Sequence, residues 1–413
     1  MEEPEVLIDV DCLKHNIRQL IDNAKGCSIF PVLKANAYGH GLELIAKTFE
    51  KSFTDEQVPF FCLARLSEAR ALRKSGVRRS FLILNYFSRE DLLAGTEFPD
   101  HTDLVINDLA DLKFLCSMTA VESKKVAGIH LNFNTGMNRL GFSWDLSSSE
   151  FSRLFDHLKT LHERKIAVRG LMTHLARGEE RSSHYSELQL ERFSKIYQRL
   201  KTDWDESVHG KFPHWVHIEN SGGLGRSVAR KTPWINGARP GLHLWGVEAQ
   251  KDAFKHLKLM PVMTVRAPVR QLFWVEKGEP IGYGGTFVCQ RKTLVATVSL
   301  GYADGVNRSF SSKSGVGSSA AHDSVGFVVE GEVAKIVGRV SMDLTTIDLT
   351  DHPKVAQWQK MMNQSERPLI WAYWISERQG VERIASALGT IPYEVLCSVA
   401  HRVARREKKA GEA

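Results

Sequence analysis

Short apolar runs of strand length recur along the first part of the chain, with amphipathic helical stretches between them. After the run FFCLA, for example, the segment RLSEARALRKSG repeats its apolar residues every three or four positions. Regular alternation of strand and helix predicts a parallel sheet, and eight such units suit a closed (β/α)8 barrel. The eight predicted strands are SIFPVLKA, FFCLA, FLILNY, DLVIN, AGIHLNF, IAVRGLMTHL, HWVHIEN and WINGARPG.

An open, doubly wound sheet is the alternative to the barrel, but it requires a glycine-rich GxGxxG turn after the first strand. The first run leads instead into KANAYGHG. Beyond Gly246 the pattern changes to alternating, β-branched segments such as TLVATVSLGYADG. The sequence therefore predicts an α/β plus β fold, with a (β/α)8 TIM-type barrel over residues 9–246 and a mainly β-strand C-terminal domain over residues 247–413, which residues 1–8 join. The Ser/Gly-rich stretch 309–326 is predicted to be a long loop.

The composition of the 413-residue chain, with 43% hydrophobic and 25% charged side chains, is that of a soluble globular protein. A net charge of +7 favours anionic small molecules, and no basic run interleaved with aromatic residues suggests a nucleic-acid partner. Six scattered cysteines without a CxxC pair argue against a disulfide framework and favour reduced thiols in the cytoplasm. No signal peptide is evident, and no apolar stretch approaches the ~18–20 residues that span a bilayer.

Polar residues stand at the carboxyl ends of the predicted barrel strands, where such barrels form their active sites. A lysine that ends an apolar strand, as Lys34 does, either reaches water along its stem or does chemistry. The segments NSGG and RPGL offer backbone N–H groups for a phosphate, and a phosphate site opposite a buried lysine suits pyridoxal 5′-phosphate (PLP) held as a Schiff base. The other polar residues of this rim are Asn132, Asn134, Arg139, His174, Asn220, Ser221 and Arg239.

A metal site is not predicted. His214 and His217 in HWVH are three positions apart, so on a strand they point to opposite faces and cannot chelate one ion together. Neither an HExxH motif nor an Asp/Glu cluster with ligand spacing is present.

Taken together, these segments resemble the alanine racemase family of barrel-type PLP enzymes, from VLIDVDCLKHNI to TIPYEVLCSVAHRV and so over essentially the whole chain. The most specific segment is KANAYGHG, and the resemblance implies that Lys34, its first residue, carries PLP as a Schiff base. The other cofactor-binding residues that the resemblance implies are Tyr38, His174, Asn220, Ser221, Arg239, Gly241, Leu242 and Tyr393.

Racemisation removes the α-proton from one face of the substrate and returns one to the other face, which requires two bases. The resemblance implies that Lys34 is one base and that Tyr283, in IGYGGTF, is the other. A tyrosine is poorly ionised at neutral pH, so a nearby Arg139 cation would favour its phenolate form. The resemblance also implies that Arg139 binds the substrate carboxylate, that Met342 lies on the carboxylate side, and that Tyr302 lies at the entrance.

The family resemblance implies interconversion of L-alanine and D-alanine, which supplies D-alanine for peptidoglycan, in a homodimer whose β domains complete the partner's barrel sites. A racemase of broader or different specificity, for serine or lysine, remains the alternative, because the sequence does not fix the substrate pocket. A PLP-binding protein without turnover is a further alternative, against which a β domain carrying Tyr283 argues. Asn132 stands where many members carry a carbamylated lysine, and its neutral amide supplies no negative charge.

Overall fold

The computed structural model of the protein describes most of the chain, including all the predicted site residues. The described residues are 2–24, 26–85, 87, 90, 92, 98–180, 183–208, 210–225, 232–248, 255–312, 324–362 and 369–412. The central part of the loop predicted at 309–326 therefore lies outside the described residues.

The described residues up to Ala238 contain ten strands, eight of which form one parallel sheet. In chain order they are β1 (Glu5–Ile8), β2 (Ser28–Ile29), β3 (Phe60–Leu63), β4 (Ser80–Ile83), β5 (Thr102–Ile106), β6 (Gly128–Asn134), β7 (Phe142–Ser143), β8 (Ala167–Met172), β9 (Trp215–Glu219) and β10 (Gly237–Ala238). The spatial order in this sheet is β2-β10-β9-β8-β6-β5-β4-β3, with β7 attached to β6.

A parallel bridge between Val32 and Cys62 links the two edges of this sheet, so the ring of strands is nearly closed. Each of the eight apolar runs identified in the sequence overlaps one of the eight strands. The predicted (β/α)8 barrel is confirmed.

Helices cover the outside of the barrel, and local sequence signals explain where they begin. The Ser147 hydroxyl accepts from the backbone N–H of Glu150, whose carboxylate accepts in turn from the Ser147 N–H, which forms a capping box. Buried Phe151, Leu154 and Leu158 then recur on one face. The helices are α1 (Val10–Ala24), α2 (Leu42–Ser52), α3 (Leu66–Lys74), α4 (Leu109–Ser117), α5 (Ala120–Ser123), α6 (Ser148–Glu163), α7 (His184–Val208) and α8 (Ser221–Gly225).

The second half of the chain is dominated by strands, as predicted. Its strands are β11 (Met263–Val275), β12 (Pro280–Ile281), β13 (Phe287–Val288), β14 (Thr293–Val298), β15 (Gly326–Val329), β16 (Glu332–Lys335), β17 (Thr345–Asp348), β18 (Trp371–Ile375) and β19 (Ala404–Glu407). Its helices are α9 (Val355–Met361), α10 (Val381–Leu388) and α11 (Pro392–Ser398). Its main sheet has the order β16-β15-β18-β11-β1-β19, and β14 and β17 extend it from β11.

The N-terminal strand β1 belongs to this second sheet, because it pairs antiparallel with β11 and parallel with β19. This pairing supports the assignment of residues 1–8 to the C-terminal domain, while the domain boundaries at 246 and 247 stay a prediction. Among the described residues, no helix combines the length and the apolar character that crossing a membrane would require.

Candidate functional site

A cleft of about 720 Å³ opens at the carboxyl ends of the barrel strands. A volume of this size suits a small-molecule or cofactor site. Leu242 begins a buried 3-10 turn directly after Gly241 and is not among the described residues that line the cleft. The predicted residues that line it are Lys34, Tyr38, Asn132, Arg139, His174, Asn220, Ser221, Arg239, Gly241 and Tyr393.

Lys34 stands at the start of an unusual left-handed turn. The four residues that follow it, Ala35 to Tyr38, have φ angles between 52° and 56°. Residues other than glycine rarely adopt this conformation, which costs each of them roughly 1–2 kcal/mol. Backbone strain of this kind persists only where the surrounding structure holds it in place, and it clusters at functional sites.

Hydrogen bonds from three directions hold the turn. The Glu68 carboxylate accepts from the backbone N–H of Ala35 at 2.7 Å, and the Asn36 side chain accepts from the N–H of Leu42 at 2.8 Å. From the C-terminal domain, the Arg405 guanidinium donates to the carbonyl of Gly39 at 3.0 Å. The direction of the Lys34 side chain is therefore fixed by contacts on both domains.

The environment of Lys34 favours its neutral amine. Burial lowers the pKa of this lysine, and the positive charge of Arg139 lowers it further, while the nearby Glu68 carboxylate opposes the shift. A lysine whose pKa is lowered in this way serves as a nucleophile or a base at neutral pH more readily than an exposed lysine.

The other end of the cleft is lined by hydroxyl groups and close-packed backbone. The Ser221 hydroxyl accepts from the N–H of Gly241 at 2.9 Å, and a Cβ added to Gly241 would lie 2.6 Å from the Tyr38 hydroxyl. The rings of Tyr38 and Tyr393 have centroids 5.8 Å apart. Burial raises the pKa of both tyrosines, so their hydroxyls stay protonated.

Glu179 is a site residue that the sequence analysis missed. It lines the cleft, and its carboxylate accepts a hydrogen bond from the Tyr393 hydroxyl at 3.2 Å. Burial raises its pKa. Only its proximity to His174 in THLARGEE could have drawn attention to it, because an acidic residue in a loop is otherwise ordinary.

Arg239 is buried, and its guanidinium donates hydrogen bonds to acceptors on β9 and directly after β8. Its guanidinium donates to Nδ1 of His217 at 2.6 Å and to the carbonyl of Thr173 at 2.7 Å, and it lies 3.5 Å from Nδ1 of His174. Burial lowers the pKa of Arg239 to about 10, so it remains a cation at neutral pH. Burial and the charges of Arg239 and Arg139 lower the pKa of His174 to about 3, which leaves a neutral imidazole.

Asn132 lies at the end of β6 with its side-chain N–H donating to the Asn107 side-chain oxygen at 2.8 Å. The neutral Asn132 side chain is therefore held in place by another amide.

Of the four predicted residues of the C-terminal domain, Tyr393 lines the cleft, whereas Tyr283, Tyr302 and Met342 are not among the described residues that line it. Tyr283 is 71% exposed, and Tyr302 and Met342 are also exposed. Tyr302 and Met342 are neighbours, because the N–H of Tyr302 donates to Ser341 and that of Ala303 donates to Met342. The structure thus brings Lys34 into one cleft with Ser221 and Gly241 but leaves Tyr283 at the surface of the chain.

The described residues contain no group of three or more His, Cys, Asp or Glu side chains arranged to hold a metal ion. His217, weighed in the sequence as a ligand, instead lies buried beside Arg239.

Comparison with known proteins was made by sequence and by structure. Residues 8–249 match the family described as "Alanine racemase, N-terminal domain", and residues 262–407 match "Alanine racemase, C-terminal domain". The alanine racemase of Sorangium cellulosum (strain So ce56) is 35% identical over 402 residues, which cover 95% of this chain and 96% of that protein. The alanine racemase of Geobacter sp. (strain M21) is 32% identical, with 97% of each chain covered. The solved alanine racemase of Clostridium difficile 630 superposes with a TM-score of 0.78 at 25% identity, covering 100% of this chain and 97% of that one.

Proposed function

Because this chain belongs to the alanine racemase family, we propose that it interconverts L-alanine and D-alanine with PLP as its cofactor. The observation that carries the proposal is the position of Lys34, whose amine lines the cleft with a lowered pKa.

The residues present fit the cofactor. Gly241 lies so close to the Tyr38 hydroxyl that any Cβ would fill the space, which leaves a small cradle lined by donors. Tyr38, Ser221, Gly241, Leu242 and Tyr393 would hold the phosphate. His174, Asn220 and Arg239 would hold the ring, and Lys34 would hold the carbonyl end.

Bound PLP withdraws electrons from the substrate's α-carbon and so makes the α-proton removable. Lys34 would move this proton on one face, since burial favours its neutral amine. Tyr283 would move the proton on the other face, and Arg139 would bind the substrate carboxylate.

Arg239 would limit side reactions. Its guanidinium only donates hydrogen bonds and stays protonated, so it would not deliver a proton to the ring nitrogen as a carboxylic acid would. The electron sink is then weaker, and the proton returns to the α-carbon, which favours racemisation over transamination.

Tyr283 would act in the barrel site of a second copy, so we propose a homodimer with shared active sites. Its exposure and its absence from the described lining of its own cleft support this arrangement. We further propose that the enzyme works in the cytoplasm, where its six free cysteines stay reduced, and that its D-alanine is used for peptidoglycan.

The test is chiral analysis of L-alanine, L-serine and L-lysine after incubation with the protein and PLP. We expect the D-enantiomer of alanine, with Lys34→Ala reducing the rate by at least about 10³-fold. Lys51→Ala, which removes an exposed lysine from α2, is the matched control and should keep full activity. Faster turnover of serine or lysine would favour the alternative specificity. Inactivity towards all three amino acids would refute the racemase.

The role of Arg239 is tested by the partition between racemisation and transamination. We expect Arg239→Glu to raise the amount of pyruvate formed per alanine racemised, because a carboxyl group can place a proton on the ring nitrogen. Arg239→Lys, which keeps a cationic donor, should leave the partition close to that of the wild type. An unchanged ratio in Arg239→Glu would contradict this role.

A further inference from the structure

A second cavity, of about 620 Å³, lies at the opposite end of the barrel from the active-site cleft. Its lining includes Phe60, Ala167 and Trp215, the first residues of β3, β8 and β9. Met172, the last residue of β8, lines the cleft instead. At ~3.3 Å per residue, the two sites are therefore separated by roughly 17 Å along β8.

The walls of this cavity are largely aromatic and aliphatic. Trp204 and Phe212 pack edge to face with centroids 5.3 Å apart, and Phe60 and Trp215 do the same at 6.1 Å. Leu158 and Ile166 also line the cavity. A planar ring fits such walls, because aromatic side chains favour edge and offset contacts with another ring.

The ionisable side chains among the described lining residues of the cavity are all basic. Arg169, Lys211, His162 and His214 line it, and no acidic residue is found among the described lining residues. Arg169 has a half-buried side chain, 39% exposed, and donates to the carboxylate of Asp103 at 3.1 Å. Aromatic walls with cationic donors match a ligand that carries both a ring and a carboxylate.

A buried chain of hydrogen bonds runs from Arg169 through the barrel to the active site. The Asp103 carboxylate lies 3.2 Å from Nε2 of His130, whose Nδ1 lies 2.7 Å from Nε2 of His217. Nδ1 of His217 accepts from the Arg239 guanidinium at 2.6 Å. Asp103, His130 and His217 are fully buried.

The two ends of this chain fix its direction. Arg239 can only donate, so His217 accepts on Nδ1. Burial and the charge of Arg239 lower the pKa of His217, so it stays neutral and donates from Nε2 to Nδ1 of His130, which leaves Nε2 of His130 to donate to the Asp103 carboxylate. Asp103 is therefore the acceptor for two arginines, Arg169 directly and Arg239 through the imidazoles.

We propose that this second cavity binds a small aromatic carboxylate through Arg169, and that the buried chain transmits this binding to Arg239. In one state Arg169 pairs with Asp103, and in the other it pairs with the ligand. Once Arg169 no longer pairs with Asp103, the Asp103 carboxylate attracts the N–H of His130 more strongly. The hydrogen bond from His217 to His130 is then strengthened in turn. The charge distribution at Arg239 changes as a result, which couples the two sites.

Calorimetric titration of the holoenzyme with benzoate tests the binding site, with uncharged benzamide as the comparison ligand. We expect benzoate to bind in the millimolar range typical of so small a ligand, and benzamide to bind far more weakly. Arg169→Gln should weaken benzoate binding by about tenfold or more. Lys211→Gln, a second variant of the lining, should also weaken it.

The matched control is Arg378→Gln, which removes a more exposed arginine that is likewise paired with a carboxylate, that of Glu332 at 3.5 Å. It should leave the affinity for benzoate unchanged. Absence of binding would overturn the site, and so would equal affinity for benzoate in the wild type and in both lining variants. Displacement of benzoate by alanine would also overturn it, because benzoate would then lie in the active-site cleft.

The coupling is read from the visible absorption band of the holoenzyme, and this measurement rests on the proposed function. Saturating benzoate should shift the band in the wild type and in Arg378→Gln, and should leave it unchanged in Arg169→Gln. Benzoate binding with an unmoved band would overturn the coupling. The calorimetric experiment also works with the protein free of cofactor, so a failure of the site is distinguishable from a failure of the proposed function.

Discussion

At the scale of single residues, the left-handed turn after Lys34 explains why KANAYGHG is so specific a segment. Asn36 tolerates a positive φ and accepts from the N–H of Leu42, and Gly39 takes a φ of 81° where its N–H donates back to Ala35. The imidazole of His40 hydrogen-bonds to the carbonyls of Ala37 and Tyr38. Each residue of the motif thus supports a strained backbone that directs the lysine and Tyr38 into one cleft.

Gly39 provides a test of this packing. A Cβ at this position would overlap the backbone carbonyl of Leu396 in the C-terminal domain. We expect Gly39→Ala to lower the free energy of unfolding by at least about 3 kcal/mol, from the positive φ and the overlap together. The apoprotein should also bind PLP more weakly, since the turn that carries Lys34 has to move.

Gly76→Ala is the control, because Gly76 has a φ of 92° and open space around its Cβ position. Its expected cost is only about 1 kcal/mol, with PLP affinity unchanged. Urea unfolding and PLP titration measure both quantities. Equal losses of stability in the two variants would contradict the packing role of Gly39.

At the scale of elements, apolar patterning located every barrel strand but overestimated the length of some. The run SIFPVLKA contains the two-residue strand β2, yet Phe30, Val32 and Leu33 beyond it are also buried. A hydrophobic pattern indicates which residues are buried but not which of them form backbone hydrogen bonds to a neighbouring strand. For the same reason the sequence did not predict the left-handed turn, which is set by hydrogen bonds to Glu68 and Arg405 far along the chain.

Ion pairs between Glu5 and two arginines stabilise strand β1, and the hydrophobic pattern of the sequence does not reveal them. Glu5 accepts from Arg266 of β11 and from Arg406 of β19, the two strands that flank it. Burial raises the pKa of Glu5, but the hydrogen bonds from Arg406 and Arg266 outweigh this effect and lower its pKa overall. The charged form of Glu5 therefore joins three strands.

Glu5→Gln should lower the free energy of unfolding at pH 7 by about 1–3 kcal/mol, since hydrogen bonds between charged groups are lost. Because the folded-state pKa of Glu5 is lowered, its stabilisation is complete above the unfolded value of about 4.3 and is lost as the pH falls below it. The difference from the wild type should thus shrink below pH 4.

Denaturant unfolding at several pH values measures this difference. Glu3→Gln is the control, because Glu3 is exposed and lies 3.7 Å from Arg270, so its removal should cost less than about 0.5 kcal/mol. A pH-independent difference for Glu5→Gln would argue against an electrostatic origin.

At the scale of the whole molecule, the two proposed bases lie on two separate surfaces. Lys34 lies in the barrel cleft, whereas Tyr283 is exposed on the C-terminal domain. A site shared between two copies would bring them together, because a two-fold axis presents the β domain of each copy to the other.

Mixing two inactive variants tests this arrangement. A dimer of Lys34→Ala with Tyr283→Phe would contain one site in which both bases are wild type, if each site takes its tyrosine from the partner. With random exchange of equal amounts, activity should recover to about a quarter of the wild-type value. Mixing Lys34→Ala with the double variant Lys34→Ala/Tyr283→Phe is the control and should stay inactive. No recovery in the first mixture, under conditions where exchange of subunits is measured independently, would place both bases in one chain.

The sequence by itself determined the barrel, the β-rich second domain and the family, because periodic burial and short motifs are local properties of the chain. It also pointed to ten residues that line one cleft, although Asn134, which it placed at the same rim, is not among the described lining residues. Only the tertiary structure decided the strained turn after Lys34, the contact of Glu179 with Tyr393, and the buried chain from Asp103 to Arg239. These features join residues that are tens to hundreds of positions apart, and their energies depend on distance and burial, which no local pattern encodes.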